Sequence, residues 1–263
     1  MQYKKLMVFF SVALPFSVLL RFFGLKFIID PKNGFFTTDN QILGLVTTVL
    51  FFVIALLVCI FSFTTHRSPE NPPQQNIYLQ GFSVILAIVI LAETFFVNAP
   101  IGTAQILIIF KMLSAICAIV FLAFFAFGEF TPVKMPLICY LFPCLYIILK
   151  TITEFTHISS TALITDNVMV LAGYCSVMMF FLQFAKLYNN SDPEKNFRKL
   201  LASGLCSVFF CLTQSVSYFI YNLTVGFENL HTSISVNLEL LASGLFIGAF
   251  LISHFSKKNA YDK

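Results

Sequence analysis

The chain has 263 residues, of which 58% are hydrophobic and only 11% are charged. A soluble domain carries about 25% charged residues, so this composition excludes an ordinary water-soluble globule. The net charge of +4 is small and its basic residues are dispersed among short polar segments, which speaks against a nucleic-acid partner. The composition therefore predicts a protein whose main surroundings are the lipid bilayer.

Apolar runs long enough to cross a bilayer as helices, about 20 residues each, occur repeatedly along the chain. They are continuously apolar, as from Leu43 to Phe63, and lack the alternation typical of a membrane β-barrel. We therefore predict an all-α integral membrane protein with about eight transmembrane helices in one bundle. The predicted helices cover residues 6–28, 41–64, 78–97, 102–127, 135–156, 167–187, 199–222 and 233–255.

The distribution of lysine and arginine predicts the orientation of these helices. With the N-terminus inside, the inner segments hold eleven of the 16 basic residues, whereas the outer segments hold only Lys26 and Lys32. The first apolar run lacks a small-residue cleavage site, so we expect it to remain as helix 1 and not to be removed as a signal peptide. We predict a multi-pass protein of the plasma membrane with a cytoplasmic N-terminus and a cytoplasmic C-terminus.

The two halves of the chain share matching positions, which indicates an internal repeat. Thr38-Asp39-Asn40 precedes helix 2 as Thr165-Asp166-Asn167 precedes helix 6, and Pro15 lies in helix 1 as Pro143 lies in helix 5. The offset between matches stays within 123 to 128 residues along the whole chain. We expect Asp39 and Asp166 to cap the helices that follow them. Coincidence among Phe-rich and Leu-rich helices is the alternative to two parallel four-helix repeats. The predicted repeats are residues 1–128 and 129–263.

Charged residues inside the predicted helices are the strongest functional signal in the sequence. A charge at the centre of the bilayer costs about 2.5 to 3.5 kcal/mol on insertion scales, so each one must be paired or hydrated. By the predicted orientation, all of these residues fall in the outer half of the membrane. They are Arg21, Glu93, Lys111, Lys150, Glu154 and Glu239.

Two explanations of these charges remain open. In the first, they form salt bridges between the repeats, with Lys111 against Glu239 and Lys26 against Glu154. In the second, they line an outward-facing pocket between the repeats. There the basic side chains would meet an anionic group, and the acidic ones would hold a cationic group or carry a coupling proton. Snorkelling toward the membrane surface is a further explanation for Lys26.

Helices 7 and 8 carry small and polar residues at helical spacing. On helix 7, Gln214 and Tyr218 belong to a polar face that suits either a water-lined wall or close helix packing, and we include both in the predicted ligand site. On helix 8, Gly244 and Gly248 form a G-x-x-x-G pattern. This pattern permits close approach of another helix, either within the chain, in a second copy of the protein, or in a partner membrane protein.

No catalytic or metal-binding pattern occurs in the sequence. The seven cysteines include no C-x-x-C pair, and the four histidines stand singly, at His66, His157, His231 and His254. We therefore expect neither a metal site nor a cofactor. An enzyme is not favoured, because an intramembrane enzyme would have to use an isolated Ser, Cys or His.

We predict a polytopic membrane protein that binds or transports a small polar or lipid-like molecule. The alternative is a non-transporting membrane subunit or assembly module whose buried charges are structural ion pairs.

Overall fold

The computed structural model describes residues 3–29, 36–64, 76–96, 105–127, 137–158, 165–188, 193–225 and 233–255. In these ranges the chain forms eight α-helices and no strand longer than one isolated bridge, between Ile29 and Phe36. The predicted all-α class is thus confirmed. The helices are α1 (Tyr3–Phe27), α2 (Gln41–Phe63), α3 (Ile77–Phe96), α4 (Gln105–Ala126), α5 (Phe142–Ile158), α6 (Thr165–Tyr188), α7 (Pro193–Val225) and α8 (Ile234–Phe255).

Seven of these eight helices are long and apolar enough to cross a membrane. The eighth, α5, has only 17 residues. A 3-10 helix at Leu137–Leu141 leads directly into α5, so helical backbone covers most of the segment predicted as helix 5. Pro143 is the second residue of α5. Proline has no backbone N–H, but at this position no α-helical hydrogen bond is lost, because no α-helical turn precedes it. The change from 3-10 to α geometry falls at this point.

The longest helix is α7, whose 33 residues span about 50 Å at 1.5 Å per residue. Its predicted extent was 199–222, and the structure begins it six residues earlier at Pro193, a residue well suited to the first helical position. Most of its side chains are buried, since α7 packs against α1, α2, α6 and α8. This helix is therefore the centre of the bundle.

Large apolar side chains cover the outside of the bundle. On α2, for example, Ile42 is 81% exposed and Leu45 is 63% exposed, and similar residues project from α1, α3, α4 and α5. Leaving a side chain of this size in water would forgo about 1.5 to 3 kcal/mol of burial free energy each. A surface of this kind is expected to face lipid.

Six helices form a closed ring. Each of α3, α4, α5, α6, α7 and α8 packs against the next, and α8 closes the ring by packing against α3. The pair α1 and α2 lies outside the ring, where both helices contact α7. The interior of this ring is where the polar side chains described below are found.

The helix contacts do not confirm the four-plus-four repeat. Within the first half of the chain, α1 packs mainly with α2 and α3 mainly with α4, while each pair makes extensive contacts with helices of the second half. The expected cap at Asp39 is wrong: the residue preceding α2 is Asn40, and Asp39 lies within a short 3-10 turn. Helix α6 begins at Thr165, one residue before Asp166, whose side chain is outside the described part.

The G-x-x-x-G face of α8 packs against α7 of the same chain. A Cβ atom placed on Gly244 would lie 3.1 Å from Cβ of Cys211 and 3.1 Å from a methyl group of Leu212, and one on Gly248 would lie 3.8 Å from Val208. Of the three contacts considered for this pattern, the structure therefore contains the one within the chain.

Candidate functional site

Charged side chains from four helices meet inside the ring, near one end of the bundle. The helices α3 and α5 approach their last turns here, whereas α4 and α8 are in their second turns. This antiparallel arrangement brings residues distant in sequence to one depth, about one to two helical turns below the helix ends. The five side chains, which we call the charge network, are Glu93, Lys111, Lys150, Glu154 and Glu239.

Lys150 is the centre of the charge network. Its ammonium group donates a hydrogen bond to Oε1 of Glu93 and lies 2.7 Å from Oε1 of Glu154, one turn further along α5. A third carboxylate, Oε2 of Glu239 on α8, is 3.8 Å away. Only 1% of the Lys150 side chain is exposed, so three carboxylates replace the water that this ammonium has lost.

The network reaches the protein surface at α4 and α5. Lys111 lies 3.5 Å from Oε1 of Glu93, and 13% of its side chain is exposed. The side chain of Glu154 is 19% exposed, whereas that of Glu239 is completely buried. The charges are therefore graded from an accessible edge to a fully enclosed carboxylate.

Two buried tyrosines belong to the site and were not predicted from the sequence. The hydroxyl of Tyr174, on α6, donates a hydrogen bond to Oε2 of Glu239 at 2.9 Å. Tyr146, on α5, lies beside Glu239 and Thr94, and all of its side chain is buried. A tyrosine in the interior of a membrane helix needs a partner for its hydroxyl, so its position in the helix was an available signal.

Several buried polar atoms of the site form no hydrogen bond of good length and angle, although Tyr146 lies close to Glu239 and Thr94, and Ser235 lies close to Glu93. In the described part of the chain they include Oε2 of Glu93, Oε1 of Glu239, and the hydroxyl oxygens of Thr94 and Tyr146. All four residues are at least nine-tenths buried. An unpaired polar group in an apolar interior costs several kcal/mol, so such atoms usually contact water or a ligand.

Arg21 and Gln214 form a polar contact of their own between α1 and α7. Nε of Arg21 donates to Oε1 of Gln214 at 3.3 Å, and both side chains are buried. Tyr218 is buried one turn further along α7, where its ring contacts Phe219. Of the eight residues predicted for one ligand site, the structure therefore joins five directly and places the other three on α1 and α7, which pack against each other.

The predicted pairing of charges between repeats is not what the structure contains. Lys111 pairs with Glu93 on the neighbouring helix α3, and Glu239 has Lys150 as its nearest ammonium group. Lys26 is exposed and lies over the ring of Phe27, 5.4 Å from its centroid. The ion pairs of the network therefore join α3 to α4, to α5 and through Lys150 to α8.

Aromatic side chains fill the interior of the ring beyond the charge network. The rings of Phe125, Phe184 and Phe250 contact one another, with centroids 5.2 to 6.3 Å apart. Edge-to-face packing of this type is tight and excludes water. The members of this aromatic cluster are Phe121, Phe125, Tyr140, Phe180, Phe181, Phe184, Phe246 and Phe250. The ring interior is thus polar toward one end and closed by aromatic rings toward the other.

Chemically, the site offers carboxylate and hydroxyl oxygens as acceptors, while its two ammonium groups are already engaged by carboxylates. Within the described ranges, no group of three His, Cys, Asp or Glu side chains is placed to hold a metal ion. His66 and His231 are outside those ranges, and His157 and His254 lie at helix ends whose side chains are outside the described part. In comparisons with known proteins, no family model, no curated protein and no solved structure matches the chain.

Proposed function

We propose that this multi-pass membrane protein binds or transports a small polar or lipid-like molecule at the charge network inside its helix ring. The observation that carries the proposal is the set of buried oxygen atoms that form no well-aligned hydrogen bond, on Glu93, Glu239 and Tyr146. If the charges served only to hold helices together, these groups would be expected to align as donors and acceptors, because an incompletely satisfied polar network destabilises the fold. A bound molecule supplies the missing contacts.

The shape of the ring interior also supports a ligand site with one entrance. Lys111 and Glu154 form a partly exposed edge, and the aromatic cluster blocks passage toward the opposite end of the bundle. A carrier that alternates between two open states must be closed on one side at any time. Transport, as distinct from binding, rests on this analogy with carriers.

The predicted topology is part of the proposal. With a cytoplasmic N-terminus, the charge network would lie in the outer half of the plasma membrane, and the entrance would face outward. The two parallel repeats, residues 1–128 and 129–263, remain a proposal supported by the offset of 123 to 128 residues between the matching motifs. Reporter fusions at the C-terminus and in the loop after α4 test the orientation, since both segments would be cytoplasmic.

Thermal unfolding in the presence of metabolites tests the ligand site. The purified protein in detergent is heated with a library of small polar molecules and lipids, alongside the variants Glu239→Gln and Glu194→Gln. Glu194 is an exposed carboxylate at the start of α7, so its variant is the matched control. At 100 times its dissociation constant, a ligand stabilises the folded protein by about 2.7 kcal/mol.

We expect at least one compound to raise the melting temperature of the wild type and of Glu194→Gln but not of Glu239→Gln. The alternative function is a non-transporting membrane subunit or assembly module with structural ion pairs. It is favoured by the several charges that do pair, above all those around Lys150. A library without any hit, together with a destabilised Glu239→Gln variant, would favour this alternative and contradict the binding proposal.

A further inference from the structure

The charge network contains one more carboxylate than ammonium groups. In direct contact are three carboxylates, on Glu93, Glu154 and Glu239, and two ammonium groups, on Lys111 and Lys150. Taking an isolated carboxylate out of water into an interior of low dielectric costs several kcal/mol even after relaxation. One further positive charge inside the ring would balance the network.

The excess negative charge falls on Glu239. Glu93 has two ammonium groups within 4 Å, and Glu154 has one at 2.7 Å and is partly exposed. Glu239 is fully buried, and among the described residues the one ammonium group within 4 Å of it, that of Lys150, is 3.8 Å from the oxygen that already accepts the Tyr174 hydroxyl. Its other oxygen, Oε1, forms no well-aligned hydrogen bond in the described part of the protein, although the Tyr146 hydroxyl lies beside this carboxylate.

The other oxygens without a well-aligned hydrogen bond belong to neighbouring groups. The Tyr146 hydroxyl lies beside Glu239 and Thr94, and Glu93 precedes Thr94 on α3. Two carboxylate oxygens and two hydroxyl oxygens, contributed by α3, α5 and α8, form a set of hard acceptors. Such oxygens suit alkali-metal ions and primary ammonium groups.

We propose that one monovalent cation binds here, held by Glu93, Thr94, Tyr146 and Glu239. The single excess charge matches a monovalent and not a divalent ion. The recognised chemistry is one positive charge among oxygen ligands, which either an alkali-metal ion or the ammonium group of an organic ligand presents. This inference rests on the proposed ligand site and names the charge of its occupant.

A proton bound to Glu239 is the alternative to a bound cation, and its position depends on the ionisable groups around this carboxylate. Every helix packed around this carboxylate contributes a group that faces it and that could share a proton or a charge with it. These groups are Glu93 on α3, Lys111 on α4, Tyr146, Lys150 and Glu154 on α5, Tyr174 on α6, and Cys211 on α7.

The test measures melting temperature against cation concentration. The detergent-solubilised protein is prepared with N-methylglucamine as the only cation, and lithium, sodium, potassium or ammonium chloride is added at constant ionic strength. Methylamine, ethanolamine and choline form a second arm, which separates an organic ammonium ligand from an inorganic ion. The variants are Glu239→Gln, Tyr146→Phe and the exposed control Glu194→Gln.

We expect a saturable rise in melting temperature with at least one cation. At 100 times its dissociation constant, the cation should shift the ratio of folded to unfolded protein about 100-fold. Glu239→Gln should lose this response and melt higher than the wild type in cation-free buffer, because the substitution removes the excess charge. Tyr146→Phe should keep the fold and weaken the response, and Glu194→Gln should match the wild type.

Equal melting temperatures in every cation would overturn the proposal. So would an infrared band of a protonated carboxyl group in the wild type that is absent from Glu239→Gln, since a proton would then supply the charge. Failure of the two proposals is distinguishable. If a neutral or anionic metabolite raises the melting temperature only when Glu239 is present, the ligand site is supported and the cation is refuted. If a cation raises the melting temperature and no metabolite does, the cation is supported and the binding of a metabolite is refuted.

Discussion

Replacing Lys150 by methionine tests whether the charge network is as tightly coupled as its geometry indicates. Methionine fills a similar volume without the ammonium group, so three carboxylates would share the interior with Lys111 alone. At an effective dielectric constant near 20, a charge pair at 4 Å attracts by about 4 kcal/mol, and desolvation offsets part of this. Removing one partner of a buried pair destabilises proteins by about 3 to 5 kcal/mol, and we expect a loss of this size.

The matched control is Lys186→Met, a lysine in the last turn of α6 whose side chain is exposed. We expect it to change the free energy of unfolding by less than about 0.5 kcal/mol, as surface substitutions usually do. Equilibrium unfolding of the detergent-solubilised variants measures both values. The double variant Lys150→Met with Glu93→Gln should lose about 0.5 to 3 kcal/mol less than the sum of its single changes, because the two groups interact. Equal stabilities of the Lys150→Met and Lys186→Met variants would refute the reasoning.

Three further predictions test the packing around the site. Mild oxidation should link Cys59 of α2 to Cys206 of α7, whose sulfur atoms are 3.2 Å apart, and an alkylation assay after denaturation should then count two fewer free thiols; no change would contradict the α2–α7 contact. Gly244→Leu should cost about 1 to 3 kcal/mol of stability by overpacking against α7, whereas Gly81→Leu should cost little, since no atom lies within 4 Å of a Cβ there; equal effects would contradict this. Tyr174→Phe should cost about 1.5 to 3 kcal/mol by removing a hydrogen bond to a buried carboxylate, and a neutral result would exclude that bond.

The helices could be predicted from the sequence because their signal is local. A run of about 20 apolar residues identifies a membrane helix without knowledge of its neighbours. The start of α7 was missed for a related reason. Its first residues, from Pro193 to Arg198, are mostly polar and lie outside the apolar run, although Pro193 is a good first residue of a helix. The 3-10 segment before α5 depends on local hydrogen-bond geometry that hydropathy does not report.

The partners of the charged side chains could not be predicted in the same way. Which ammonium group lies next to Glu239 depends on which helices are adjacent, and this is set by long-range packing between helices far apart in sequence. Repeat symmetry placed Lys111 there, whereas the structure places Lys150 nearest. The cost of charges in lipid predicts that buried charges cluster. The tyrosines that complete the cluster, Tyr146 and Tyr174, could not be told apart from the many other aromatic residues in the sequence.

A cryo-EM map of the protein in lipid nanodiscs, detailed enough to show ordered water, tests the central claim most directly. The account predicts density that is not protein inside the ring, in contact with Oε1 of Glu239 and the hydroxyl of Tyr146. It also predicts that this density is weakened or lost in Glu239→Gln. A map in which protein donors satisfy every oxygen of Glu93, Thr94, Tyr146 and Glu239, with no other density between them, would contradict the existence of a ligand site.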